Sequence, residues 1–270
     1  MRNHFLIVAV IFGLVWCLPV IAADLDKGLA AAKKGDYKTA VKEWKPLAEQ
    51  GNAVAQFHMG EVYEFGFEDP QIRKQAIKWF SSAAKLGNAD AQHKLGLMYS
   101  SGFGVPKNED LAIEWLTRAA SQGHATSQYF LAVLYRSQGR GSESNKQAIK
   151  WFSLAAEQGN VVAQNYLGTL YEFGGPGTLQ DYGQAFTWYA KAAENGDADA
   201  QNSLGKMYEQ GNGVSKNVVR AHMWLNIAAS SGDSDGLKSR NILAKEMTPA
   251  QINEARKLAR ECLNSDYKGC

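Results

Sequence analysis

The sequence predicts an all-α solenoid, a stack of antiparallel helix pairs, on three observations. The first is a tryptophan ladder. Trp44, Trp79, Trp115, Trp151, Trp188 and Trp224 follow one another at steps of 35, 36, 36, 37 and 36 residues, and only Trp16 lies outside the series. A period of this size marks one structural unit copied along the chain. Second, other residues keep step with the ladder. Gly87, Gly123, Gly159, Gly196 and Gly232 come eight residues after a tryptophan, and Gly51 comes seven after. Gln56, Gln92, Gln128, Gln164 and Gln201 stand five residues after a glycine, and Tyr63, Tyr99, Tyr135, Tyr171 and Tyr208 seven further on. Third, apolar residues within a copy recur at steps of three and four and nowhere alternate with period two, which argues for helices and against strands.

Each element of the unit follows from these residues. In the copy from Ala89 to Gly123, the residues Ala91, Gln92, Leu95, Gly96 and Tyr99 trace the stripe of a first helix, A. Ala112, Trp115, Leu116, Ala119 and Ala120 trace a second, B. Small residues let the two helices approach, and Tyr99 and Trp115 fill the gaps, so each tryptophan is expected to be the buried wedge between pairs. A single pair buries only part of its apolar stripe, so several copies must stack. The glycine ending helix B suits the left-handed stop conformation. The residue after it, Asn52, Asn88, Asn160, Asp197 or Asp233, can cap the next helix by accepting from its free amides. His124 takes this place in one copy as a weaker cap, and its position in a turn argues against a role as ligand or base. Chain length varies between the tyrosine and the next tryptophan, 16 residues in four copies and 17 in one, which marks a surface loop there.

These residues resemble the Sel-one-like repeat family, relatives of the tetratricopeptide repeats. The resemblance runs through Ala89-x-Ala91-Gln92-x-x-Leu95-Gly96-x-Met98-Tyr99-x-x-Gly102-x-Gly104-Val105, then Ala112-x-x-Trp115-x-x-x-Ala119-Ala120-x-x-Gly123. It covers about residues 28–260. It implies a right-handed superhelical stack that binds other proteins, often as an adaptor. The third copy departs from the pattern, with Ala132 where the others carry Gly60, Gly96, Gly168 and Gly205, and with a loop Ser137-Gln138-Gly139-Arg140-Gly141-Ser142 lacking the Gly-x-Gly-Val form. The copies fade toward the ends, as capping units should. Residues 24–270 are therefore expected to form a single solenoid domain of about five full repeats, with capping helices in 24–51 and 233–270. Thr248-Pro249-Ala250-Gln251 starts the last helix with a capping box and proline at its first position.

The N-terminus sets the compartment. Residues 5–23 are almost wholly apolar, Arg2 supplies a positive start, and Ile21-Ala22-Ala23 offers small residues for cleavage. Residues 1–23 thus read as a secretory signal peptide. The rival is an uncleaved membrane anchor, since such a stretch approaches the length of a bilayer span. The mature chain is expected to be periplasmic or secreted, with membrane contact only if the segment stays uncleaved. Cys262 and Cys270 then face an oxidising compartment, and a disulfide between them would tie the tail to the last helix.

Composition narrows the function. The 29 basic and 27 acidic residues leave a formal charge of +2, and losing Arg2 with the signal leaves +1. No basic run is visible, which disfavours nucleic acid. His4, His58, His93, His124 and His222 make no metal-ligand spacing with cysteine, so no metal and no cofactor is expected. Gly102-Phe103-Gly104 and Gly211-Asn212-Gly213 follow helix A and not a strand, so they read as turns, not phosphate loops. No catalytic set is inferred, and the chain is read as a non-enzymatic scaffold for a protein or peptide partner in the cell envelope. A cell-wall glycan or peptidoglycan binder is the alternative. Some secreted members of the resembling family carry a disulfide in each repeat and are linked to β-lactams; this chain has no cysteine between residues 18 and 261, so that reading ranks last.

By the same resemblance the A helices line a concave groove. Its expected stripe comprises the residue after the glutamine (Phe57, His93, Tyr129, Asn165, Asn202), the residue after the helix A glycine position (Glu61, Leu97, Val133, Thr169, Lys206), and the residue two before the glutamine (Val54, Asp90, Thr126, Val162, Asp199). Val54, Phe57, Leu97, Tyr129, Val133 and Val162 are apolar where solvent favours polar residues, so they are the candidate partner-binding residues. Packing between adjacent A helices would account for the same pattern.

Overall fold

The computed structural model describes residues 23–65, 70–138, 142–175 and 177–270. Among these residues fourteen helices follow one another: α1 (Leu25–Lys33), α2 (Tyr37–Glu49), α3 (Ala53–Phe65), α4 (Pro70–Lys85), α5 (Ala89–Ser101), α6 (Glu109–Ser121), α7 (Ala125–Gln138), α8 (Ser142–Glu157), α9 (Val161–Phe173), α10 (Tyr182–Ala193), α11 (Ala198–Gln210), α12 (Val218–Ser230), α13 (Ser234–Leu243) and α14 (Pro249–Asn264). No strand occurs among the described residues, only a bridge between Gly175 and Thr178 in the fourth loop. The chain divides into two compact units, Met1–Ala83 and Ala84–Cys270.

In the first unit α2 packs on both α1 and α3. Their core is Ala31, Ala40, Trp44, Ala48, Ala55, Met59 and Val62. In the second unit α5 packs on α6, α7 on α8, α9 on α10 and α11 on α12, and each pair is joined to the next through its B helix. The final B helix, α12, is covered by α13 and α14.

The turn chemistry follows the sequence. Gly123, just past the end of α6, has φ +88°, a left-handed conformation that glycine adopts without a Cβ penalty. Asn88, Asn160 and Asp197 each accept from the third helical amide, at 2.8, 2.9 and 2.8 Å. Thr248 and Gln251 form the expected capping box.

The glutamines keep step for a reason the spacing does not announce. Each donates its Nε2 to a carbonyl eight residues earlier: Gln56 to Ala48, Gln92 to Ala84, Gln128 to Ala120, Gln164 to Ala156 and Gln201 to Ala193, at 2.9, 3.0, 3.1, 3.0 and 3.2 Å. Those carbonyls lie in the last turn of a B helix, where the i+4 amide is missing and the stop glycine three residues on donates instead. The buried side-chain amide is a second donor to the same oxygen, and ties helix A to the end of the B helix before it. Gln92 and Gln128 are satisfied in turn by Gln122 and Gln158, both at 2.7 Å. In the last copy the corresponding residue is Ser231, which turns back to Ile227, and the Gln201 Oε1 is left without a partner.

The wedge is not the tryptophan in every copy. Trp44, Trp151 and Trp224 are buried, but Trp79, Trp115 and Trp188 are only half-buried. Arg118 lies 4.5 Å over the Trp115 ring and Lys191 4.3 Å over Trp188, covering faces that point outward. The residue after the tryptophan fills the gap instead: Phe80, Leu116, Phe152, Tyr189 and Leu225 are all but wholly buried. Four of them press against the helix A glycine of their own pair, Phe80 on Gly60, Leu116 on Gly96, Tyr189 on Gly168 and Leu225 on Gly205. One step along a helix turns a side chain by about 100°, so neighbours in sequence cannot share a face. In the N-terminal pair Trp44 itself sits on Gly28 and donates to the Leu25 carbonyl at 3.1 Å.

The C-terminal tail is pinned. Cys262 and Cys270 are joined by a disulfide with Cα atoms 5.5 Å apart. Lys268 donates to the Glu194 carbonyl at 2.9 Å, and Arg220 donates to the Cys270 carbonyl oxygen. The proposed signal peptide lies outside the described residues except for its last residue, Ala23. Among the described residues no helix is long and apolar enough to cross a membrane.

Candidate functional site

The structure sorts the three expected stripe positions by exposure. The residue two before the glutamine is open to solvent in all five copies, at Val54, Asp90, Thr126, Val162 and Asp199. Val54 is 45% exposed and Val162 55%, both unusual for valine in a folded helix. The residue after the helix A glycine position is half-buried at Glu61, Leu97, Val133 and Lys206 and exposed at Thr169.

The residue after the glutamine is not an open position, which corrects the expected stripe. Asn202 is only 8% exposed, and Phe57, His93, Tyr129 and Asn165 are half-buried. Phe57 meets Phe80 at 5.8 Å between ring centroids. Tyr129 lies edge-on to Phe130 and Phe152 and joins the core around α7 and α8, as does Val133. Asn165 donates to Asp197 Oδ1, the cap of the next A helix, at 3.0 Å. At Asn165 this position therefore clasps one repeat to the cap of the following one, whereas Phe57 and Tyr129 pack on the B helix of their own pair. A single helical step separates the position from the glutamine and turns it away from solvent.

In the first unit a cavity of about 230 Å³ opens between α1, α2 and α3. Leu29, Tyr37, Trp44, Val62 and Phe65 give it apolar walls. His58 lines it, stacked on Trp44 at 4.8 Å and bonded through Nδ1 to Glu61 at 2.9 Å.

One cluster in the second unit has the composition of a catalytic triad. His124 Nε2 stands 3.3 Å from Asp90 Oδ1, and His124 Nδ1 stands 2.8 Å from Ser127 Oγ. Ser127 is 0% exposed, however, and its own amide donates to His124 Nδ1 at 3.1 Å. A nucleophile must reach its substrate, and its base must be free to take the proton. This serine is sealed in the joint, and the imidazole is engaged as the N-cap of α7. Among the described residues no group of three or more His, Cys, Asp or Glu is placed to hold a metal ion.

Known proteins place this architecture. No curated protein matches the chain. A crystal structure of a protective antigen present in uropathogenic Escherichia coli strains, displaying an SLR fold, matches at 33% identity with TM-score 0.75, covering 91% of this chain and 55% of its own. This chain thus spans about half of that protein. A Sel1 repeat protein from Oxalobacter formigenes matches at 28% identity with TM-score 0.73, covering 88% of this chain and 99% of its own. The Sel1 repeat model matches residues 53–88, 89–124, 125–160, 161–197 and 198–233, each starting at the first residue of an A helix and ending at the cap of the next. Proteins built from this repeat generally serve as protein-interaction scaffolds. With five consecutive matches covering most of the chain, it belongs to the Sel1 repeat family.

Proposed function

We propose that this chain is a non-enzymatic scaffold of the cell envelope that binds a partner protein or peptide on its A helices, after removal of residues 1–23. The observation that carries this reading is the exposure of Val54 and Val162, on α3 and α9. Two other copies place Asp90 and Asp199 at the same position, so the fold itself does not require an apolar residue there. Phe57, Leu97, Tyr129 and Val133 are half-buried, and the part of each that remains open adds to this surface. Exposed apolar side chains at one register position are the kind of anchor a partner buries.

The test uses the repeat's own alternative residue. Val54→Asp with Val162→Asp is expected to leave the melting temperature within about 2 °C, as exposed substitutions do. Crosslinking capture from envelope extract is expected to fall by about tenfold or more, as when an interface anchor is lost. Capture unchanged in this variant places binding elsewhere, and sedimentation with peptidoglycan sacculi in its place favours the glycan reading.

Export has independent support. Cleavage after Ala23 leaves Asp24 first, and Asp24 is the N-cap of α1, accepting from the amides of Asp26 and Lys27 at 2.9 and 3.2 Å. Its backbone nitrogen, the new terminal amine, lies 3.3 Å from Glu43 Oε2. The cut therefore keeps the cap and sets an ammonium beside a carboxylate. The relative in uropathogenic Escherichia coli strains is a protective antigen. Protein recovered from the envelope fraction is expected to begin at Asp24, with neither Cys262 nor Cys270 alkylated before reduction. A chain beginning at Met1, or two labelled thiols, contradicts this.

A further inference from the structure

Departures from the repeat pattern meet at one joint in the second unit. The residue before the glutamine is Ala55, Ala91, Ala163 or Ala200 in four copies but Ser127 in the third. The cap is Asn or Asp in the other copies but His124 here, and the clasping residue from the second copy is His93. His93 Nδ1 lies 2.9 Å from Ser127 Oγ, and the two imidazole centroids are 4.9 Å apart.

Hydrogen positions in this cluster follow from one fixed donor. The Ser127 amide can only donate, so His124 Nδ1 must accept and its proton sits on Nε2, directed at Asp90. The Ser127 hydroxyl then points its proton at His124 Nδ1, since the reverse would set two lone pairs 2.8 Å apart. Its oxygen accepts the Nδ1 proton of His93. Every donor in the chain from His93 through Ser127 and His124 to Asp90 has an acceptor while both histidines are neutral.

Protonation reverses this. A proton on His124 Nδ1 faces the Ser127 amide proton and removes the cap of α7. Asp90 does not prevent it, because its exposed carboxylate accepts from Nε2 in either state. A second positive ring would sit beside His93, and Lys94 on α5 adds to that charge. From α6, Arg118 is turned onto Glu114 and the Trp115 ring. We propose that this joint is an acid-sensitive latch, in which protonation of its histidines uncaps α7 and loosens the second repeat from the third.

Burial, then His124 and Lys94, push His93 down to about 4. A histidine held below its ordinary value stabilises the fold at neutral pH, and that contribution is lost as pH falls from about 6.5 toward 4. The Asn160 cap of α9 does not titrate and serves as the internal control; Asp197, raised by burial, does not serve.

Hydrogen exchange on the mature chain tests this at about pH 7.5 and about pH 4.5, corrected for the intrinsic rate. The first turn of α7 is expected to lose about tenfold in protection at the lower pH, the scale of a lost N-cap, while the Asn160-capped first turn of α9 does not. His93→Asn with His124→Asn, which leaves no titrating group at either position, is expected to abolish the difference. His124→Asn alone, the cap residue of α5 and α9, serves if the double variant fails to fold. Equal loss in α7 and α9, or a variant that keeps the α7 response, overturns the latch.

Discussion

Gly168→Ala is expected to destabilise the protein by about 2 kcal/mol, the scale of overpacking in a tight core. In an exposed helix the same change stabilises by about 1 kcal/mol, so the sign is the test. A Cβ at Gly168 would lie 2.5 Å from Tyr189 Cδ1 and 2.6 Å from Cε1. The ring is not free to swing away. Its hydroxyl donates to Glu172 Oε2 at 2.7 Å and meets Thr169 Oγ1 at 3.1 Å, and burial holds the phenol well above its ordinary pKa. Ala132 is the built-in counterpart, an alanine at the same register in the copy whose wedge is Phe152. Ala132→Gly is expected to destabilise as well, by about 1 kcal/mol from lost helix propensity, with any void left behind adding to it. Urea unfolding of the two variants checks both signs, and a higher midpoint for Gly168→Ala would falsify the close-contact account.

Phe152→Ala is expected to cost about 3–5 kcal/mol, enough to threaten a fold of ordinary stability. Phe152 is buried among Leu131, Ala132, Ala155 and Leu167, with Tyr129 at 6.0 Å and Tyr166 at 4.1 Å between ring centroids. Truncation would open a cavity lined by two helix pairs. Trp115→Ala is expected to cost roughly half as much, because its half-buried ring loses less area and mainly its contact with Arg118. Thermal melts of the two variants side by side decide which ladder holds the stack. A larger loss for Trp115→Ala returns the tryptophan to the role the spacing suggested.

That reversal shows what a repeat ladder can and cannot convey. Spacing identifies residues that must recur, but a residue recurs for several reasons. The glutamines recur to give a carbonyl at the end of helix B a second donor, a role with a sequence signal in hindsight: an alanine stands eight residues before each one. The caps Asn88, Asn160 and Asp197 were legible because capping is local, set by a side chain and an amide three residues on. The stripe was only partly legible. Val54 and Val162 are open to solvent, whereas Asn202 is buried and its equivalents half-buried. One residue of phase around a helix separates the open face from the joint, and phase is set by what packs against the helix.

The sequence by itself determined the helix pairs, their number and their turns, because period, caps and glycine stops are short-range and repeat five times. It also brought Cys262 and Cys270 within reach of one another, a matter of eight residues of chain. Only the tertiary structure decided which side chain wedges against each glycine, which face of helix A stays open, and that His93, His124, Ser127 and Asp90 share one joint. Those outcomes rest on contacts between the two helices of a pair or between neighbouring repeats, whose geometry depends on how each helix is rotated in its pair, and no spacing along the chain encodes that rotation.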